Sequence, residues 1–162
     1  MKYLALLAGT LYLFACSDKK SGTDDCDPEE YEHTIKANSR IDTLTGGSSI
    51  FSFQVNSDPN KNVFIYTYTS ERCKMVADAG YRETLVFEVP ANANSFSYTN
   101  DELKNANTYY KMSCYCDVNA RMVVQGTIKG QKISAAMWTV EADLTMPLTN
   151  KNISFNKSFT MQ

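Results

Sequence analysis

Three hydrophobic regimes follow one another along the chain. From Tyr3 to Ala15 the residues are uncharged and largely apolar, behind a single lysine at position 2. From residue 17 to residue 33 large apolar side chains are nearly absent. From residue 34 onward apolar and polar positions alternate with the period of two that a strand covering a core requires. Phe51, Phe53 and Val55 share one face of a strand, and a turn follows over Asn56 to Asn62, with Pro59 inside it. Val63 to Tyr68 is apolar or aromatic on both faces, the pattern of a central strand. Leu85, Phe87 and Val89 alternate with Thr84, Val86 and Glu88 until Pro90 ends the run. Phe96 and Tyr98 begin a short strand, Tyr109 to Cys116 is β-prone, and Met122 to Ile128 predicts a strand turning at Gly130. The clearest alternation sets Trp138, Val140, Ala142, Leu144 and Met146 against Thr139, Glu141, Asp143 and Thr145. Ile153, Phe155 and Phe159 predict a last strand at an edge.

Helix is scarce. Thr99-Asn100-Asp101-Glu102 reads as a capping box opening about one turn, which Asn105 and Asn107 end. Lys74 to Gly80 predicts one further helical turn. Several short strands at even spacing indicate an all-β domain, an antiparallel sandwich or, as the alternative, a small β-barrel.

The leading regime has the layout of a secretory signal: one lysine, an apolar stretch too short to span a bilayer, and a small residue before Cys16. Leu13-Phe14-Ala15-Cys16 resembles the bacterial lipobox, and the Cys16-Ser17-Asp18 start resembles lipoproteins of the Bacteroides–Flavobacterium group. The resemblance implies cleavage before Cys16, lipidation of Cys16 and an outer-membrane address, in either leaflet. Residues 1–15 are then the signal peptide, 16–33 an acidic flexible tether, and 34–162 one β domain.

Phe96 to Tyr109 resembles the E–F corner of a fibronectin type III domain. The resemblance implies an Ig-like sandwich, with extra C-terminal strands, in which Leu103 enters the core and Tyr109 makes a tyrosine corner. Asp42-Thr43-Leu44 resembles the short O-glycosylation motif of Bacteroides-type bacteria.

Composition narrows the function classes. Net charge is −2 and no basic block exists, so nucleic acid is excluded as a partner. Outside the cytoplasm, Cys26, Cys73, Cys114 and Cys116 suggest two disulfides. Cys114 and Cys116 point the same way from one strand, so Cys73 is expected to join one of them and Cys26 the other. Met112-Ser113-Cys114-Tyr115-Cys116 offers soft metal ligands, but no second close-spaced pair supports a metal site, and none is nominated.

Nothing calls for a cofactor, and no catalytic residue is nominated. The one histidine, His33, falls in the tether, and the nucleophile-elbow, Walker and zinc-protease patterns are absent. Tyr66, Tyr68, Tyr98, Tyr110 and Tyr115 are the candidate ligand platform, because tyrosine rings stack on sugars. The expected role is therefore a lipid-anchored envelope module that binds a glycan or an envelope protein. The alternative is a periplasmic inhibitor or immunity-type lipoprotein acting on an enzyme.

Overall fold

The computed structural model describes residues 26–46, 49–70, 72–73, 81–113, 119–147 and 150–162. The described chain is almost entirely strand. In order it forms β1 (Cys26–Asp27), β2 (Glu30–Lys36), β3 (Ser39–Gly46), β4 (Ser49–Ser57), β5 (Lys61–Thr69), β6 (Arg72–Cys73) and β7 (Arg82–Pro90). There follow β8 (Ser95–Thr99), α1 (Glu102–Asn105), β9 (Tyr109–Ser113), β10 (Arg121–Met122), β11 (Gly126–Ser134), β12 (Met137–Thr145) and β13 (Asn152–Met161). The all-β class is as the alternation predicts.

Nine strands form one sheet in the order β10-β9-β7-β5-β2-β13-β12-β11-β8. Every neighbour pair is antiparallel except β13–β2, which is parallel and joined only through Thr160↔Thr34 and Met161↔Ile35. That short junction divides the sheet into a five-stranded and a four-stranded wing. The wings face each other, because rings from both meet in one core. Phe64 of β5 lies 5.4 Å from Trp138 of β12, and Phe87 of β7 lies 5.6 Å from Phe96 of β8. The molecule is thus two layers deep, as a sandwich is, while the backbone runs on from one layer to the other.

β5 shows why its sequence is apolar on both faces. Phe64 and Tyr66 point into the main core, while Val63 and Ile65 belong to a second cluster on the outside of the wing. The hairpin β3–β4 covers that outer cluster with Ile41, Phe53 and Val55. β12 alternates as its sequence requires, with Trp138, Val140, Ala142 and Leu144 fully buried. In the helical turn, Leu103 enters the main core; the N-cap is Asp101 and carries no side-chain cap bond, so the expected capping box does not form, although Glu102 Oε2 accepts from the Thr99 amide at 2.9 Å. The Thr99 hydroxyl pairs with Thr127 across the sheet instead. Tyr109 joins the outer cluster, stacked on Phe53 with ring centroids 6.4 Å apart.

Three further expectations need correction. The ordered chain starts within the segment assigned to the tether, since β2 pairs with β5 from Glu30↔Thr69 onward. β13 is not an edge strand but lies between β12 and β2, and it is sparsely buried because β2 pairs with only its last two residues. Gly130 is no turn but sits mid-strand opposite Phe96. A Cβ there would come within 2.4 Å of that ring, so the glycine makes room for the aromatic. Cys26 of β1 stands opposite Cys73 of β6 in antiparallel register. Cys16, Cys114, Cys116, Tyr115 and the helical turn expected over 74–80 lie outside the described residues.

Candidate functional site

The parallel junction leaves an opening between the wings. β2 keeps its antiparallel ladder with β5 from Glu30 to Lys36, and β13 keeps its ladder with β12 from Asn152. The two strands pair with each other only at their far ends, so beside Tyr31 and Asn152 they splay apart. Side chains fill the opening. On β2 the inward series is Tyr31, His33 and Ile35. Only Ile35 is fully buried, while Tyr31 remains 53% exposed. Tyr66 and Tyr68 come from β5, Glu83 from the start of β7, and Asn152, Ile153 and Ser154 from β13, with Lys151 just before it. These eight side chains, His33 and Ile35 aside, line a recess of about 270 Å³.

Aromatic contacts shape its wall. Tyr31 lies 5.0 Å from Tyr68 and 6.4 Å from Tyr66. Tyr66 stacks on Phe155 at 5.0 Å with planes 7° apart. His33 is wedged behind them, 5.4 Å from Tyr66 and 5.2 Å from Phe159. Its Nε2 is buried with no hydrogen-bond partner among the described residues. Burial, with Lys157 adding to it, therefore holds the imidazole pKa below the ordinary value.

The polar part of the recess is charge-balanced. Glu83 is 1% exposed and lies on the inward face of β7, in line with Leu85 and Phe87. Such a carboxylate needs donors. Its Oε1 accepts from Lys151 at 2.5 Å and, through a short bond, from the Tyr81 hydroxyl. The same lysine sits 5.7 Å from the Tyr68 ring centroid, within reach of a cation–π contact. Burial raises the Tyr66 hydroxyl pKa to about 12, helped by Tyr31, Glu83 and Tyr68. The Tyr68 hydroxyl donates to Glu29 Oε1 at 3.0 Å, the main reason its pKa rises to about 12. Tyr110 is buried beside Tyr81 and Glu83, and desolvation pushes its pKa up first, with those neighbours adding to it. All these phenols stay neutral near pH 7, so they act as donors and stacking surfaces.

Of the five tyrosines proposed as a platform, Tyr66 and Tyr68 line the recess and Tyr110 lies buried beside Glu83. Tyr98 lies elsewhere, stacked on Phe96 at 5.6 Å beside Lys61 and Glu88. Tyr31, Glu83 and Lys151 went unnoticed in the sequence. Tyr31 and His33 do alternate with Glu30, Glu32 and Thr34 ahead of Ile35, and that period of two is the signal for them. In the glycosylation-like motif, Thr43 shares its face with buried Ile41 and is itself half-buried. Among the described residues no three His, Cys, Asp or Glu side chains gather as a metal site. The arrangement can stack on a ring, offer hydroxyl and amide groups at its rim, and present one buried carboxylate. The chain matches no family model, no curated protein and no solved structure.

Proposed function

We propose that this chain is an exported, lipid-anchored protein of the cell envelope whose β domain is a non-catalytic binding module, and that the recess between the wings takes a saccharide. The observation that carries the binding reading is the convergence of Tyr31, Tyr66 and Tyr68 beside the Lys151–Glu83 pair. A sugar ring offers an apolar C–H face to an aromatic side chain and hydroxyls to polar groups at the rim. The half-exposed Tyr31 supplies the face, and Asn152, Ser154 and Glu83 supply polar atoms. Titration of the mature chain with short neutral saccharides tests this. Tyr31→Ala is expected to lower affinity about tenfold, the scale of one stacking contact. Unchanged binding by that variant would remove the recess from the reading.

The anchor rests on Cys16, behind the apolar run. Two or more acyl chains hold a protein to a membrane durably where one does not. Wild type should partition with membranes and carry an acyl mass increment, and Cys16→Ala should be soluble and unmodified. Two disulfides among Cys26, Cys73, Cys114 and Cys116 belong to the same proposal, because four cysteines outside the cytoplasm favour pairing. Non-reducing peptide mapping should find Cys73 linked to Cys114 or Cys116, and four free thiols would remove the bridges from the reading.

A further inference from the structure

Two rows on the outer face of the four-stranded wing carry no net charge, and the exposed Asp143 stands in the row beyond them. Strand register lines up Ser95, Gln131, Thr139 and Ser158 in one row straight across β8, β11, β12 and β13. In the next row Lys129 and Glu141 stand opposite each other and cancel in a 2.9 Å ion pair, with Asn156 beside Glu141. The face is not flat. A groove of about 630 Å³ runs over these two rows. Solvent-facing strands usually carry long lysines and glutamates that keep a surface soluble. Here most of those positions hold hydroxyls and amides, which both donate and accept. Ser and Thr also lose little rotamer freedom when a ligand fixes them.

From these observations the geometry points to a second binding surface: a neutral polysaccharide chain lies along this groove, with its end entering the tyrosine recess. The absence of net charge in the two rows suits an uncharged polyol and not a polyanion. No aromatic or aliphatic anchor projects from those rows, which disfavours a protein partner. Continuity supports a single ligand, because Asn152 and Ser154 stand on the outward face of β13 and also line the recess. Four strands span about 14 Å at the usual spacing, room for more than one sugar ring. The end-in-recess part of this inference rests on the saccharide reading of the recess, while the groove stands on its own residues.

Chain length and two sets of variants test it. The mature protein is titrated with disaccharides and hexasaccharides of glucose, mannose and xylose, and with an oligogalacturonate as an anionic control. One neutral hexasaccharide is expected to bind at least about tenfold tighter than its disaccharide. Gln131→Ala with Asn156→Ala should lower hexasaccharide affinity about fivefold or more and leave disaccharide affinity unchanged. Both side chains are exposed, so the fold should tolerate the change. Loss on Tyr31→Ala but none on the groove variant overturns the groove. Loss on the groove variant but none on Tyr31→Ala keeps the groove and overturns the recess. Equal affinity for both chain lengths, tighter binding of the oligogalacturonate, or no binding across the panel overturns the inference.

Discussion

Strand β7 buries two glutamates on opposite faces, and their surroundings differ in a way that separates structure from function. Glu88 faces the outer cluster beneath the β3–β4 hairpin. It accepts from the Ile41 amide at 2.6 Å and the Asn107 side-chain amide at 2.8 Å, and through a short bond from Lys61. Those donors come from a hairpin strand, a helix-terminal turn and the adjacent strand. Glu88 thus ties three pieces of chain together, and both its oxygens are engaged. Glu83 faces inward at the recess, where Tyr81 and Lys151 donate to one of its oxygens and the Tyr110 hydroxyl lies against it. A carboxylate with all its bonding capacity met by backbone and neighbours holds a fold together. One that lines the tyrosine recess is placed to meet a ligand as well as its own partners.

The larger stability loss is expected at Glu88. Glu88→Ala leaves the Ile41 amide and Asn107 without their acceptor and Lys61 without its partner. Removing one member of a buried charged network costs about 2–4 kcal/mol. Urea unfolding should show that loss, and hydrogen exchange should show β3 and β4 opening first. A loss below about 1 kcal/mol would mean that Ile41, Phe53 and Val55 hold the hairpin through apolar contact alone.

Glu83→Gln should cost less, about 1–2 kcal/mol, because Lys151 keeps 47% of its side chain exposed and can be hydrated when its partner is gone. A double-mutant cycle with Lys151→Gln isolates the pair. The asymmetry should reverse for saccharide binding, with Glu83→Gln weakening it and Glu88→Ala leaving it unchanged in the folded population. Equal stability losses at the two glutamates, with binding untouched by either, would erase the distinction drawn between them.

How much of this was legible in the chain follows from where each constraint lies. β12 and β5 could be read because their burial is set by their own alternation and their own double-faced apolarity. The Thr99–Glu102 bond could be read because its partners lie within three residues, whereas the N-cap fell two residues later, at Asp101. Glu83 could not, because Arg82-Glu83-Thr84 has the look of a solvated strand entry. What makes burial tolerable is Lys151, a separation of 68 residues. Tyr31 and His33 were hidden by their acidic neighbours, which lowered local hydrophobicity enough to suggest a tether. Gly130 carries a turn residue's identity for a reason found only on the neighbouring strand, the Phe96 ring that lies against it. The fold class lay in short-range pattern, and the recess lay in long-range pairing.

The smallest effect concerns the histidine behind the recess wall. His33 packs among Tyr66, Phe155 and Phe159, and its buried Nε2 has no hydrogen-bond partner among the described residues, so the folded protein disfavours the imidazolium. The unfolded chain's imidazole protonates near pH 6.5, and the folded one only at lower pH. Between those two values the unfolded state binds more protons, so acid favours unfolding. His33 therefore supports the fold fully above pH 6.5 and less as pH falls through that window. His33→Phe keeps a flat ring in the aromatic cluster and removes both the buried nitrogen and the proton. Thermal melts at about pH 5 and about pH 7.5 should show the variant equal to or slightly more stable than wild type, by less than about 1 kcal/mol, and less sensitive to acid. If wild type and variant lose stability in parallel as pH falls, His33 is not the group that titrates.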